Sequence, residues 1–62
     1  MLDEDLLEKL WNYLVEEGLS YRDIADKLGF KSRATVCNWF NRGKISSKNK
    51  SKIIDLLEEA GY

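Results

Sequence analysis

The chain contains no histidine, no proline and one cysteine. Without histidine a zinc site built from the usual ligands is not expected, and one thiol cannot close an internal disulfide. A chain of 62 residues therefore has no evident staple, and a domain this short buries only about 60% of the surface its unfolded form exposes, which makes for a marginal core. Long apolar runs are also missing, so no segment is expected to span a bilayer. The acidic start DEDLLEKL lacks the basic segment and apolar stretch of a secretory leader, and the lone Cys37 fits a reducing, cytosolic setting. No repeat, low-complexity tract or linker interrupts residues 1–62, which are expected to form one domain. Paired nucleophile and base, glycine-rich phosphate loops and room for a cleft are all lacking, so neither an enzyme, a metal, a cofactor nor a small-molecule ligand is expected.

The net charge of −1 conceals a segregated pattern. Residues 1–18 hold six acids and one base (−5), residues 19–54 nine bases and two acids (+7), and residues 55–62 three acids (−3). Between Lys31 and Lys52 seven bases stand without an acid. A block of this kind on one face is the electrostatic footprint of a phosphate-binding surface.

Cap and breaker signals divide the chain into four helices, an all-α fold. The first is expected over Glu4–Glu17, capped by Asp3, with acids in its first turn and Gly18 as its stop. Leu7, Leu10, Leu14 and Trp11 form its expected buried stripe, packed against the last helix. Leu6, Tyr13 and Val15 widen that stripe beyond what one small core needs. Its acidity keeps it off DNA. Ser20 with Asp23 makes a capping box that starts the second helix at Tyr21, and Gly29 closes it. A second cap at Ser32 opens the third helix at Arg33, and Gly43 ends it. Ile45 is expected to plug the core from the following loop, and a cap at Ser46 or Ser47 starts a fourth helix that runs to about Ala60, stopped by Gly61. Ile53, Ile54, Leu57 and Leu56 supply its apolar side. Lys48, Lys50 and Lys52 lie in or near its first turns, where the helix dipole disfavours cations, which points to phosphate contact as the reason for them.

The stretch SYRDIADKLGFKSRATVCNWFNR (20–42) is the centre of the pattern. Ile24, Ala25, Leu28, Val36, Trp39 and Phe40 fall at helical spacing across two short helices joined by a glycine-started turn, which is a helix-turn-helix. On the third helix Arg33, Thr35, Cys37, Asn38, Asn41 and Arg42 are left facing out, polar or small, at the height of a groove edge. Arg33, Thr35, Cys37 and Asn38 are the candidates for base edges, where Arg or Asn makes bidentate contacts to guanine or adenine. Tyr21, Arg22, Ser32, Arg42, Lys44, Lys48 and Lys50 are the candidates for phosphates, Ser32 because helix N-terminal amides attract anions.

IADKLGF followed by SRATVCNWFNRGKIS resembles the helix-turn-helix of the phage repressor and Cro-like (XRE-like) family, with Ala25, Gly29, Val36 and Trp39 at its structural positions once one extra residue, Phe30 or Lys31, is allowed in the turn. That resemblance implies a bundle of four to five short helices and a small repressor-like regulator of transcription. It would read the major groove of double-stranded operator DNA with the third helix (about 32–42), as a weak homodimer formed on the operator. It also implies a cytoplasmic protein of a bacterial or phage-infected cell, or a nucleoid-associated one, resembling a Cro or an isolated DNA-binding domain because no separate oligomerisation domain is present. Tyr21 and Arg33 stand where that family often has Gln, so no operator sequence carries over. NWFNR is also similar to the third helix of the homeodomain, although Gly43 ends this helix early and a fourth follows. The remaining alternative is a protein-interaction module that uses the surplus apolar face of the first helix.

Overall fold

The computed structural model describes residues 2–62. It contains four helices: α1 (Asp3–Glu17), α2 (Tyr21–Leu28), α3 (Ala34–Arg42) and α4 (Ser47–Glu59). No helix is long and apolar enough to cross a membrane among the described residues.

Each boundary has a local cause. The Ser20 hydroxyl accepts from the Asp23 amide at 3.2 Å while the Ser20 amide donates to the Asp23 carboxylate at 2.9 Å, so the capping box forms as read. These bonds hold the Asp23 carboxyl below its usual range, the Ser20 amide contributing most. Gly29 ends α2 at φ 83°, and a Cβ there would meet nothing within 4 Å. Its selection is therefore conformational and not steric, since this backbone region is costly for residues with a side chain. Gly43 (φ 70°) ends α3 in the same way, and Ser46 caps α4 by accepting from the Asn49 amide at 3.4 Å.

The first helix starts differently from expectation. Leu2, in extended backbone, occupies the cap position and makes no side-chain cap bond, while Asp3 is the first helical residue. The Asp3 carboxylate is drawn instead across the fold, where it accepts the Ile45 amide at 3.1 Å and pairs with Lys50. The Lys50 bond, followed by the Ile45 amide, holds the Asp3 carboxyl below its usual range. At the other end of α1, Tyr13 meets Tyr62 edge-on at 5.2 Å and Glu16 accepts the Tyr62 hydroxyl, a bond that pushes that phenol up to about 12. Start is thus tied to start and end to end, so α1 and α4 run side by side in the same direction, with the α2–α3 unit as the connection between them.

The core is assembled from all four helices. Leu6, Leu10, Ile24, Val36 and Ile53 are its fully enclosed side chains, surrounded by Leu7, Tyr13, Leu14, Ala25, Trp39 and Leu57. Ile45 is buried from the α3–α4 loop, as its position in the sequence suggested. Small Ala25 sits buried where α2 meets α3. Ile54 and Leu56 are only half-buried. One stripe residue is corrected: Trp11 is 46% exposed, while Leu7, Leu10 and Leu14 are buried as expected, together with Leu6 and Tyr13. On the helix Trp11 lies about 40–60° beyond Leu7 and Leu14, at the margin of the buried strip, and it packs edge-on against Phe40 at 5.8 Å instead of entering the core.

Candidate nucleic-acid interface

The turn between α2 and α3 spans Gly29–Arg33, and it sets how α3 is presented. Phe30 folds back from it, its amide donating to the Ala25 carbonyl at 2.8 Å and its ring meeting the buried Trp39 edge-on at 5.6 Å. The helix opens one residue later than the sequence suggested. Arg33 is the cap residue and Ala34 the first helical one, because Ser32 acts from a step further upstream, accepting the Ala34 amide at 3.1 Å. This is the short side-chain-to-backbone turn that serine favours. No side chain caps α3 from the cap position itself and no acid stands in its first turn, so its N-terminal end remains electropositive.

Val36 and Trp39 direct one side of α3 into the core, and at about 100° per residue the opposite side centres on Ala34, Asn38 and Asn41. All three are exposed. Arg33 and Arg42 are exposed at its two ends, and Thr35 and Cys37 are half-buried on its flanks. Asn41 donates its side-chain amide to the Cys37 sulfur at 3.4 Å, which ties together two neighbouring side chains on that surface.

Seven of the eleven sequence-derived candidates line two open grooves, one along α3 and one at its start, and Cys37 lines neither. On one side Thr35, Asn38 and Arg42 share a groove with Lys44, Ser46 and Asn49, floored by Trp39 and Ile45. On the other, Arg22, Ser32 and Arg33 share a groove with Lys31, Ala25 and Asp26. Lys48 is exposed at the start of α4. Two candidates stand apart. Tyr21 is half-buried, its ring stacked on Phe40 at 5.2 Å and 11°. Lys50 is paired with Asp3. The neighbouring Lys52 lies 5.0 Å from the centre of the Phe30 ring. Two of the three lysines at the start of α4 thus have partners inside the molecule, and those partners give a reason for cations at a helix N-terminus that does not require phosphate.

Asn41 and Asn49 were not among the candidate contacts. Asn41 follows Asn38 by three residues and so shares its face, a signal present in the sequence. Asn49 belongs to another helix, and the short loop from Gly43 to Ser46 that joins α3 to α4 brings it to the groove.

The architecture is therefore a helix-turn-helix whose outward helix is polar, acid-free and flanked by cations. Residues 10–46 match the model of the homeodomain-like domain. The chain belongs to this homeodomain-like helix-turn-helix family, the match running from the middle of α1 through α2 and α3 to the cap of α4. No curated protein and no solved structure is significantly similar to it. The early stop at Gly43, which sets this chain apart from a homeodomain, lies within the matched residues, and the added helix α4 lies beyond them.

Proposed function

We propose that this chain is a sequence-specific double-stranded DNA-binding protein, a small regulator of transcription that reads the major groove with α3. The observation that carries the reading is the exposed face of α3, where Asn38 and Asn41 stand between Arg33 and Arg42 with no acid on the helix. A recognition helix needs this chemistry: amide and guanidinium groups that match base edges, with cations at the margins to neutralise phosphates. Membership in a homeodomain-like helix-turn-helix family supports the same reading.

In this reading Arg33, Thr35, Cys37 and Asn38, with Asn41 added, face base edges. Arg22, Ser32, Arg42, Lys44 and Lys48 face phosphates on either side, and the open N-terminal end of α3 adds an anion site beside Ser32. Tyr21 contacts a phosphate through its hydroxyl while its ring remains stacked. Lys50 contributes less than a full charge, because Asp3 already neutralises it. Residues 1–62 act as one domain, in the cytoplasm or on the nucleoid, and the regulator is of the compact repressor type that the Cro-like resemblance implied. Two copies bind a two-fold symmetric operator as a weak dimer, with half-sites roughly 34 Å apart.

Selection from random duplex DNA, followed by titration of the winner and of a mixed-sequence duplex at two salt concentrations, tests this. A preferred, palindromic site with affinity that falls steeply with salt is expected. Absence of binding even at low salt would remove the DNA reading, and saturation by one chain on the minimal site would remove the dimer.

A further inference from the structure

We infer that the outward stripe of α1 around Trp11 and Val15 is a docking face for a cationic amphipathic protein segment, one that carries apolar side chains flanked by lysine or arginine. Trp11 and Val15 are 46% and 56% exposed and lie one turn apart, so they form a single apolar patch on an otherwise polar surface. The indole is not loose. It makes a T-shaped contact with the Phe40 ring, which is in turn stacked on Tyr21. An anchor already held in place loses little freedom when it is covered, and tryptophan is the residue type that most often carries binding energy at the centre of an interface.

Charge selects the occupant. Glu4 and Glu8 are exposed on the same stripe, one and two turns toward the start of the helix, within a segment whose first 18 residues sum to −5. A phosphate backbone would be repelled there, and so would the same helix of a second copy. A segment with bases flanking its apolar side chains would meet Glu4 and Glu8 with the first and Trp11 and Val15 with the second. The patch is far smaller than the roughly 800 Å² per partner of a stable interface, so binding is weak and sensitive to salt. Trp11 and Val15 line neither groove of α3, so a peptide titration without DNA reads this face separately from the DNA reading.

The test is an amide-shift titration of the full chain with a synthetic amphipathic Leu/Lys helix, alongside a Leu/Glu helix of equal length. Saturable shifts at the Trp11 indole N–H, Glu8 and Val15 are expected with the first peptide and none with the second. Joint replacement Trp11→Ser with Val15→Ser should weaken binding by roughly tenfold or more, with the helical signal retained because both side chains are at the surface. Glu4→Gln with Glu8→Gln, which leaves the apolar patch intact, should weaken it several-fold and remove most of its salt dependence. The inference is overturned by no saturable binding of the Leu/Lys helix, by equal binding of the Leu/Glu helix, or by shifts centred on the acidic end of α4. It is also overturned if sedimentation shows a dimer of this chain that Trp11→Ser dissociates, since a second copy would then be the occupant.

Discussion

α3 and the first turns of α4 both carry cations and no acid, yet their side chains are engaged differently. Arg33 and Arg42 on α3 pair with no acid among the described residues, whereas on α4 Lys50 is held by Asp3 and Lys52 lies over the Phe30 ring. The cause is the parallel course of α1 and α4. It sets two helix N-termini side by side, and the Asp3 carboxylate between them receives both the Ile45 amide and the Lys50 ammonium. A carboxylate at that place is favoured by both helix dipoles and offsets a lysine that one of them disfavours. Basic residues thus serve two ends: Lys50 and Lys52 are engaged within the fold, whereas Arg33, Arg42 and the exposed Lys48 make no ion pair among the described residues.

The largest expected effect concerns the inner side of α3, on which its outer side depends. Trp39 is 5% exposed, and Trp39→Ala should cost on the order of 3–5 kcal/mol, enough to unfold many domains of this size. Trp11→Ala, at an exposed position, should cost under about 1 kcal/mol. Urea unfolding of the two variants measures the contrast, and equal losses would mean that α1 and α3 are packed otherwise than described.

Next come the outward side chains. Asn38→Ala and Asn41→Ala should each lose about 1–3 kcal/mol on the selected operator, keep random-DNA affinity nearly unchanged, and relax preference at one base pair per half-site. Parallel losses on operator and random DNA would show that this side of α3 positions the protein without reading sequence.

The contrast between the two basic stretches is tested most directly by salt. Arg42→Ala should reduce the slope of log affinity against log salt by roughly one unit. Lys50→Ala should reduce it by clearly less, since part of its charge is already neutralised. Equal reductions would mean that Lys50 leaves Asp3 on binding and acts as a full phosphate contact.

The smallest effect is on acid stability. Asp3 has its carboxyl lowered from 3.8 in the folded chain, so the stability it contributes is present above that value and is lost as pH falls below it through the depressed folded value. Asp3→Asn should therefore be less stable than the parent near neutrality, with the gap closing on acidification below about pH 3.8. A gap that persists unchanged in strong acid would assign the loss to the Ile45 bond and not to the charge.

Much of this fold was legible because its signals are local. A capping box needs residues three apart, a left-handed stop needs only a glycine, and an apolar stripe needs only helical spacing; Ser20, Gly29, Gly43 and the Val36–Trp39 side of α3 all follow from such short-range rules. The α1 stripe was legible except at its margin, since spacing marks the apolar residues of a helix but not how wide a strip its neighbours cover. Trp11 falls on that margin, where spacing alone does not separate a core residue from an exposed one.

The candidate site was legible in part. Spacing alone places Asn38, Arg33 and Arg42 outward, because the residues that must be buried leave only that side free. The charge blocks are also plain in the sequence. Which of the bases are spoken for depends on how the helices pack. Asp3 reads as an ordinary helix cap until the chain brings it within reach of residue 50, Lys52 finds Phe30 only because the turn folds back on α4, and Asn49 joins the groove of α3 from another helix. Pairings across tens of residues leave no periodic trace in a single sequence, because they are set by how whole helices pack and not by the spacing of neighbours along the chain.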